Sequence, residues 1–377
     1  MPAAVFSRRV GNLVKDAGRR TETGWFTPHM EAASRAILDR IPLVDCVIEV
    51  RDARIPVSSA YPQIERASTV SKRLIVLNKM DLSDHQQTQE WVKYFEEQQL
   101  QCCPVNSHNK ECIKKFLQLL RAQMRELKVG FPDSTSTIML IGIPNIGKSA
   151  LINSLHQIGR VSALEKGKLK HAIVSSLPGE TKDISSFKIA SHPNIYILDT
   201  PGILAPEIPD SETGSKLAIT GAIKDHLIGE YELAQYLLAI FNTSDAYKVW
   251  DTKGTKLSNY QNEKNSEEQE PESRRKQFPS DHTQDFIVKD VRHMLVQQIS
   301  SFNGDLASED DMVGLIEAQL RALHEAFRVP VDSGKEGLNR VATKLLNLYR
   351  TGRLGHLTLE SPPRDCCNRM NSIKLDD

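Results

Sequence analysis

Residues 137–149 read Thr-Ile-Met-Leu-Ile-Gly-Ile-Pro-Asn-Ile-Gly-Lys-Ser, and the rest of the chain is interpreted from this segment outward. The four apolar residues at 138–141 form a run short enough to be one buried strand of a parallel sheet. They lead into Gly142, and a Gly-Lys-Ser run follows at 147–149 after four intervening residues. A strand, this glycine spacing and a helix start together predict a loop whose backbone N–H groups bind the phosphates of a nucleoside triphosphate.

The residues of this loop have separate expected roles. Lys148 is expected to reach the β- and γ-phosphates, and Ser149 to ligate Mg²⁺. The residues expected to line the same phosphate site are Asn145, Ile146, Gly147 and Ala150. A chance glycine turn before an apolar helix is the structural alternative, and the combination of strand, spacing and Lys-Ser disfavours it.

Length and composition limit the class of protein. The 377 residues suffice for two or three domains. The 48 Lys and Arg residues balance 48 Asp and Glu residues, so any nucleic-acid-binding surface must be a local patch. The six cysteines show no Cys-x-x-Cys pair and no metal-ligand spacing, which favours reduced thiols over a disulfide scaffold. No stretch approaches the roughly 20 apolar residues of a membrane span.

On both sides of the loop, short apolar runs alternate with amphipathic segments. Strands are predicted at 43–50, 74–77 and 102–105, and helices at 28–40, 85–99, 113–127 and 150–156. Two further strands, at 184–189 and 195–198, flank a Ser-His-Pro-Asn turn and predict a hairpin. This alternation predicts an α/β fold with a doubly wound, mostly parallel sheet.

From about residue 206 the pattern becomes helical. Helices are predicted at 217–227, 232–241, 285–300, 309–326 and 335–351. Residues 252–283 are polar and nearly free of aliphatic side chains, which predicts a disordered insertion. Cations surround the apolar face of the last helix, namely Lys335, Arg340, Lys344, Arg350 and Arg353. They are interpreted either as a solvated face or as an RNA-binding surface, and the cationic loop at 160–171 is a second candidate surface.

The N-terminal residues 1–24 have a different character. Arg8, Arg9 and Lys15 alternate with apolar residues, and the first acidic residue is Asp16. A basic amphipathic segment of this kind resembles an organellar targeting segment. The alternative is the frayed basic N-terminus of a cytosolic protein.

A second motif, Asn78-Lys79-x-Asp81, follows the strand predicted at 74–77. A carboxylate at a strand end can accept hydrogen bonds from N1–H and the exocyclic amine of guanine. Adenine offers neither donor in that arrangement, so an unpaired carboxylate would penalise it. Alone the tetrapeptide is common, but beside a phosphate loop it predicts GTP rather than ATP. Ser107, after the next strand, could support the guanine.

A third motif, Asp199-x-x-Gly202, also stands at a strand end. Asp199 suits a water-mediated contact to Mg²⁺, and the backbone N–H of Gly202 suits the γ-phosphate. Thr181 is the best candidate for the second hydroxyl ligand of Mg²⁺, because it lies in a Pro-Gly-x-Thr loop between the other two motifs.

The order of these motifs is unusual. Ordinary GTPases place the phosphate loop first and the guanine motif later, whereas here the guanine half occupies 78–107 and the phosphate half 142–202. The chain therefore resembles circularly permuted GTPases, and specifically the YlqF (RbgA) family, with its mitochondrial ribosome-associated and plant organellar DAR members. The segments that carry the resemblance are Trp25-Phe-x-x-His29-Met30, Asp52-Ala-Arg54, Asn78–Asp81, Gly142–Ser149, Asp199–Gly202 and Thr213–Gly221. It covers about 25–245 and, more loosely, 351–355.

The resemblance implies a Mg²⁺-dependent GTPase that helps to mature the large ribosomal subunit of an organelle. Its nucleotide state would control association, and a helical C-terminal domain would contact rRNA and ribosomal proteins. A monomer in the mitochondrial matrix is expected, with chloroplast or cytoplasm as alternatives. Together with the patterns above, the resemblance predicts three segments: 1–24 (targeting), 25–205 (circularly permuted GTPase domain) and 206–377 (helical RNA- or ribosome-binding domain). A GTP-sensing scaffold with little hydrolysis is the rival hypothesis.

Two residue roles come from the resemblance alone. Ile203 stands where many GTPases place a glutamine that orients water, and the family is thought to use an N-terminal histidine, here His29. The alternative role of His29 is packing or capping in the first helical turn. Asn145 resembles the asparagine that holds K⁺ in potassium-activated GTPases, and a loop hydrogen bond is its alternative. Asp52-Ala-Arg54 has no role that the sequence reveals beyond a loop salt bridge.

Overall fold

The computed structural model describes residues 2–19, 25–26, 28–61, 63–66, 72–129, 134–163, 184–244, 247, 250, 282–330 and 334–363. The chain divides into two compact units. The helical unit comprises Met1–Ala17, Pro209–Thr220 and Asp225–Gly355. The sheet unit comprises Gly18–Ile208, Gly221–Lys224 and His356–Asp377.

The sheet unit is built on six strands: β1 (Cys46–Asp52), β2 (Arg73–Asn78), β3 (Gln101–Val105), β4 (Ser136–Ile141), β5 (Ser185–Ser191) and β6 (Asn194–Asp199). Their order is β3-β2-β1-β4-β6-β5, and every neighbouring pair is parallel except the β5–β6 hairpin. Ile138–Ile141 of β4 are 0% exposed, as expected of a central strand covered on both faces. The predicted mostly parallel sheet and the predicted hairpin are confirmed.

The helices of the sheet unit are α2 (Pro28–Arg40), α3 (Gln63–Arg66), α4 (His85–Glu97), α5 (Lys110–Leu127) and α6 (Lys148–Ala163). Side-chain caps fix two of their starts. The Asp84 carboxylate accepts from Gln87 N at 2.9 Å, and the Asn109 side chain accepts from Cys112 N at 3.0 Å. These caps place α4 and α5 directly after the loops that carry the guanine motif and Ser107.

The helices of the helical unit are α1 (Pro2–Arg19), α7 (Ser211–Ile219), α8 (Glu230–Thr243), α9 (His282–Ser300), α10 (Glu309–Ala326) and α11 (Gly334–Arg350). Of α1, the residues up to Ala17 belong to this unit. The helix predicted at 217–227 is wrong in its bounds. Asp210 caps α7 by accepting from Thr213 N at 2.7 Å, and Gly221 with φ +84° stands just past its end. Apolar spacing alone did not reveal this cap or this turn.

The N-terminal helix α1 is part of the fold. Its residues Phe6, Val10 and Val14 are at most 4% exposed and share one helical face. The Ser7 hydroxyl lies 2.8 Å from that of Ser215, and Arg9 pairs with Glu232 at 2.8 Å. The apolar face of α1 is therefore packed within the protein, which residues 1–24 did not clearly indicate from their sequence, while a targeting role for 1–24 stays a prediction.

The basic face of α11 makes contacts within the helical unit. Both terminal nitrogens of Arg350 lie 2.7 Å from the Asp225 carboxylate. Lys344 Nζ donates to the Phe327 carbonyl at 3.1 Å, and Arg340 pairs with Glu336 one turn away. Arg340, Lys344 and Arg350 therefore have partners within the helical unit, and the interpretation of this face as an RNA-binding surface stays a prediction.

Other predictions fall partly outside the described residues. The predicted insertion at 252–283 lies outside them up to residue 281, as does the cationic loop from residue 164 onward. Cys46, Cys102, Cys103 and Cys112 are free thiols. Within the described ranges, no helix combines the length and the apolar character needed to cross a membrane.

Candidate nucleotide-binding site

The predicted motifs meet at one edge of the sheet. The phosphate loop follows β4, the Asp199 motif ends β6, the guanine motif follows β2 and Ser107 follows β3. These four strands and β1 are neighbours in the order β3-β2-β1-β4-β6 and are mutually parallel, so their carboxyl ends lie on the same side. Ligands of open α/β sheets bind at that edge.

The phosphate loop has the form that its sequence predicted. Helix α6 begins at Lys148, so Ser149 and Ala150 occupy its first turn, where the positive end of the helix dipole lies. Lys148 is only 6% exposed, and its Nζ donates to the carbonyls of Gly142 at 3.0 Å and Ile143 at 2.8 Å. The ammonium group therefore folds back over the loop that would hold the phosphates.

Burial lowers the pKa of Lys148 to about 8, against the opposing effect of the Asp199 carboxylate. The ordinary pKa of a lysine is 10.5, so between about pH 8 and 10.5 the unfolded chain binds this proton more tightly than the folded protein. The free energy of unfolding contributed by this group therefore rises with pH across that window.

The same shift predicts that the affinity for a nucleoside triphosphate depends on pH. A triphosphate should bind the charged ammonium, so binding above pH 8 requires uptake of one proton, and affinity should fall by up to about tenfold per pH unit. A γ-phosphate with a pKa near 6 is already ionised there. Calorimetry at pH 8.5 in two buffers of different ionisation enthalpy measures the uptake. A binding enthalpy independent of the buffer would contradict the prediction.

The two described Mg²⁺ candidates lie together. Ser149 Oγ donates to Asp199 Oδ2 at 3.2 Å. The other oxygen, Asp199 Oδ1, is buried and accepts no hydrogen bond within the described residues. Burial raises the pKa of Asp199, against the lowering effects of Lys148 and Ser149. Oxygen donors of this kind fit Mg²⁺, which would lower the cost of a buried carboxylate. Thr181, the third candidate, lies outside the described residues.

The loop after β6 approaches the phosphate loop closely. A Cβ on Gly202 would lie 2.6 Å from Pro144 Cα and 3.0 Å from Lys148 Nζ. Only glycine allows this approach, which brings the Gly202 backbone close to Pro144 and Lys148.

The guanine motif is joined directly to the phosphate loop. The Asn78 amide accepts from Ser107 Oγ at 2.7 Å and donates to the Ile146 carbonyl at 2.8 Å. Lys79 Nζ donates to the Asn145 carbonyl. A Cβ on Gly147 would lie 2.4 Å from Asn78 Nδ2, so this glycine permits the contact. Asp81 is exposed on the loop after β2, where its carboxylate is accessible to a base.

The structure describes the side chain of Ile203 but only the backbone of His29. Ile203 is 0% exposed and packs in an apolar cluster with Ile37 and Ile41, so it cannot orient water. The backbone of His29 lies in the first turn of α2, and its side chain lies outside the described residues. The catalytic role of His29 therefore stays a prediction.

Asn145 makes the loop hydrogen bond that was its alternative interpretation. Its amide nitrogen donates to the Gly221 carbonyl at 3.1 Å. Asn145 has φ +57°, a left-handed conformation that asparagine tolerates better than most residues.

The Asp52–Arg54 pair has a third partner that the sequence did not indicate. The carboxylate of Asp52 accepts from Nε of Arg54 at 2.9 Å and from its Nη2 at 2.8 Å. It also lies 3.2 Å from Nζ of Lys79, the lysine of the guanine motif. The expected loop salt bridge is present. Its extension to Lys79 joins residues 27 positions apart, which no local pattern signals.

Comparison with known proteins gives a consistent result. Two family models match, one described as 50S ribosome-binding GTPase over residues 137–307 and one described as RsgA GTPase over residues 63–209. The chain is 53% identical over 357 residues to DAR GTPase 2, mitochondrial, of Arabidopsis thaliana, covering 94% of each protein.

More distant relatives match a shorter region. Mitochondrial ribosome-associated GTPase 1 of Mus musculus is 40% identical over 224 residues, which are 58% of this chain and 66% of the relative. Ribosome biogenesis GTPase A of Bacillus cereus is 34% identical over 219 residues, 57% of this chain and 70% of the relative.

Proposed function

The chain belongs to the family of circularly permuted GTPases that includes DAR GTPase 2, and from this premise we propose that it binds an organellar large ribosomal subunit and promotes its assembly. As a member it is a GTP hydrolase. The observation that supports nucleotide binding is the hydrogen bond from the Asn78 amide to the phosphate-loop carbonyl of Ile146 at 2.8 Å, and the names of the relatives support the ribosomal partner. This hydrogen bond joins a guanine-reading motif to a triphosphate-binding loop.

Within this proposal each residue has a defined task. Asp81 binds guanine, with Asn78, Lys79 and Ser107 supporting its loop. Lys148 and the backbone at Asn145–Ala150 bind the phosphates. Ser149, Asp199 and Thr181 are the proposed contacts of Mg²⁺, which when bound would neutralise charge on the β- and γ-phosphates. Gly202 lies shortly before Pro209, where the chain enters the helical unit, so a γ-phosphate contact there could alter that unit.

The names of the relatives support the partner and the compartment. The mouse relative is ribosome-associated, the Bacillus relative acts in ribosome biogenesis, and the Arabidopsis and mouse relatives are mitochondrial. We place this protein in the mitochondrial matrix as a monomer that binds rRNA and ribosomal proteins. Expressing residues 1–30 fused to a fluorescent reporter tests the compartment, and signal in chloroplasts or cytoplasm would overturn it.

Ribosome association is tested with purified organellar ribosomal particles. The protein should cosediment with them in a non-hydrolysable GTP analogue and dissociate in GDP, and the particles should stimulate phosphate release. Comparable devices accelerate GTPases by roughly 10³–10⁵-fold. If cosedimentation does not depend on the bound nucleotide and the particles do not stimulate phosphate release, the result would support a GTP-sensing scaffold instead.

A cationic cleft between α5 and α6 supports an RNA contact. It has a volume of about 460 Å³, and Lys110, Lys114 and Arg121 line it without any acidic side chain among its described lining residues. Lys114 pairs with Glu111 at 2.7 Å, but both side chains are more than half exposed, so this pair is weak.

The cosedimentation assay therefore includes a cleft variant. Changing Lys110, Lys114 and Arg121 to glutamine should weaken particle binding and reduce the slope of log affinity against log salt by about 2–3. The matched control changes three exposed cations outside the cleft, Lys93, Lys115 and Arg125. Equal losses in the two triple variants would exclude the cleft as the contact.

His29 is proposed to act on the attacking water. His29→Ala should lower ribosome-stimulated turnover by roughly 10²-fold with GTP affinity unchanged, because general acid–base groups contribute about that much. The measurement is single-turnover phosphate release with saturating particles. Intact stimulated turnover would refute the role.

Potassium binding at Asn145 is a further proposal. Because the Asn145 amide nitrogen already donates to Gly221, only its oxygen is proposed to contact the ion. Turnover in KCl should exceed turnover in NaCl, and Asn145→Asp should alter that ratio. Equal rates in both salts would exclude potassium activation.

A further inference from the structure

The Asp52-Ala-Arg54 loop carries a buried ion cluster beside the guanine motif. Asp52 and Arg54 are each 1% exposed, and Arg54 also donates its backbone N–H to Asp52 Oδ1 at 3.0 Å. Burial by itself would raise the pKa of Asp52, but Arg54 and Lys79 together hold it below its ordinary value. Asp52 is therefore an anion at neutral pH, held by one cation and facing a second.

The sheet register places this anion at the guanine loop. Asp52 ends β1 directly opposite Asn78 of β2, and Ala53 N donates to Asn78 O at 2.8 Å. The next residue, Lys79, has φ +59°, which is uncommon for a residue with a side chain. Such a conformation persists only where surrounding contacts enforce it. Two such contacts of Lys79 are made by its Nζ, with the Asp52 carboxylate and with the Asn145 carbonyl.

The C-terminal end of the described chain fastens the same two loops. We call Leu357–Glu360 the C-terminal strap. Leu359 N donates to the Arg54 carbonyl at 2.8 Å, and Leu357 N donates to the Leu82 carbonyl at 3.3 Å. Asp84 N donates to Thr358 Oγ1 at 2.9 Å. The strap thus bridges the Asp52 loop and the loop that carries the guanine motif.

The end of the strap is anchored more firmly than its middle. The Glu360 carboxylate, 8% exposed, accepts from Val57 N at 2.7 Å, Ser58 N at 3.2 Å and the Ser58 hydroxyl. The Trp91 indole donates to the Glu360 carbonyl at 3.1 Å. A carboxylate that accepts several hydrogen bonds from one loop fixes the conformation of that loop.

We propose that Asp52 is a positioning residue for Lys79 and that the C-terminal strap holds the Asp52 loop beside the guanine loop. Nucleotide affinity of the sheet unit therefore depends on residues 357–360, which follow the helical unit in the chain. This inference rests on the proposed role of Lys79 in nucleotide binding.

The first test is Asp52→Asn in the full chain. The side chain keeps its shape but loses its charge, so the Kd of GTP and GDP should rise about 10- to 100-fold. KM should rise with kcat unchanged, as expected when only nucleotide binding is affected. In a Lys79→Ala background the same substitution should have no further effect, because Asp52 acts through Lys79. A full additional loss there would overturn the positioning role.

The second test breaks the strap without touching the ion cluster. Glu360→Ala and, separately, Ser58→Ala should raise the Kd of GDP by roughly fivefold, a typical coupling between distinct sites. Glu97→Ala, at the exposed end of α4, is the matched control. Circular dichroism monitors folding, and Glu360→Ala combined with Asp52→Asn should be less than additive. Affinities equal to that of the control would overturn the role of the strap.

The experiments distinguish failure of the proposed guanine site from failure of the roles proposed for Asp52 and the C-terminal strap. If Asp81→Asn leaves guanine preference unchanged, the proposed base site is wrong. If Asp81→Asn changes the preference while Asp52→Asn and Glu360→Ala do not change affinity, the base site stands and only this inference fails.

Discussion

Asp81→Asn should convert the base preference from guanine to xanthine. The Asp81 carboxylate would accept two hydrogen bonds from guanine, each worth about 1.5–3 kcal/mol because the acceptor is charged. Asparagine offers one acceptor and one donor, a pattern that matches N1–H and the 2-oxo group of xanthine. GTP affinity should fall by about 10²–10⁴-fold. Calorimetry with the triphosphates of guanosine, xanthosine and adenosine measures the change.

The location of Asp81 allows this substitution without a change in the fold. The residue is exposed, and its backbone lies in a turn closed by Leu82 N donating to Lys79 O at 2.9 Å. Asparagine fits such a turn, so the fold should be unaffected. Asp39→Asn, on the exposed surface of α2, serves as the control. Retained GTP affinity with no gain for xanthosine triphosphate would place the base elsewhere.

Lys148→Ala should remove nearly all triphosphate binding. Truncating one member of a buried charge pair costs about 2–5 kcal/mol, equivalent to a rise in Kd of roughly 30- to several-thousand-fold. Lys148 lies between two carbonyls of the phosphate loop and beside Gly202, so its loss affects both phosphate-binding segments. GTP turnover should fall with affinity, since this lysine also neutralises charge on the transferred phosphate.

The measurement for Lys148→Ala is nucleotide affinity and single-turnover hydrolysis at pH 7, where the wild-type lysine is charged. The control is Lys115→Ala, which makes the same change on the exposed surface of α5. The melting temperature without nucleotide separates lost binding from lost folding. A folded variant that binds GTP as tightly as the control would show that the triphosphate lies at another site.

Local patterns predicted the elements that position the site. The apolar run at 138–141 became the central strand β4, and Asp84 and Asn109 capped helices near their expected starts. The helix predicted at 217–227 was wrong because its end depends on a left-handed glycine, Gly221. Apolar spacing signals a buried face and is insensitive to where a turn begins.

The phosphate loop and the alternation of strands with helices were predictable from residues a few positions apart, and the permuted order of the motifs is visible along the chain. The partners of the charged and apolar faces became known only from the folded structure. Arg350 binds Asp225, α1 is buried, and the C-terminal strap reaches Arg54. An amphipathic face or an unpaired charge shows in sequence that it needs a partner, but the partner is chosen by contacts between residues far apart in the chain.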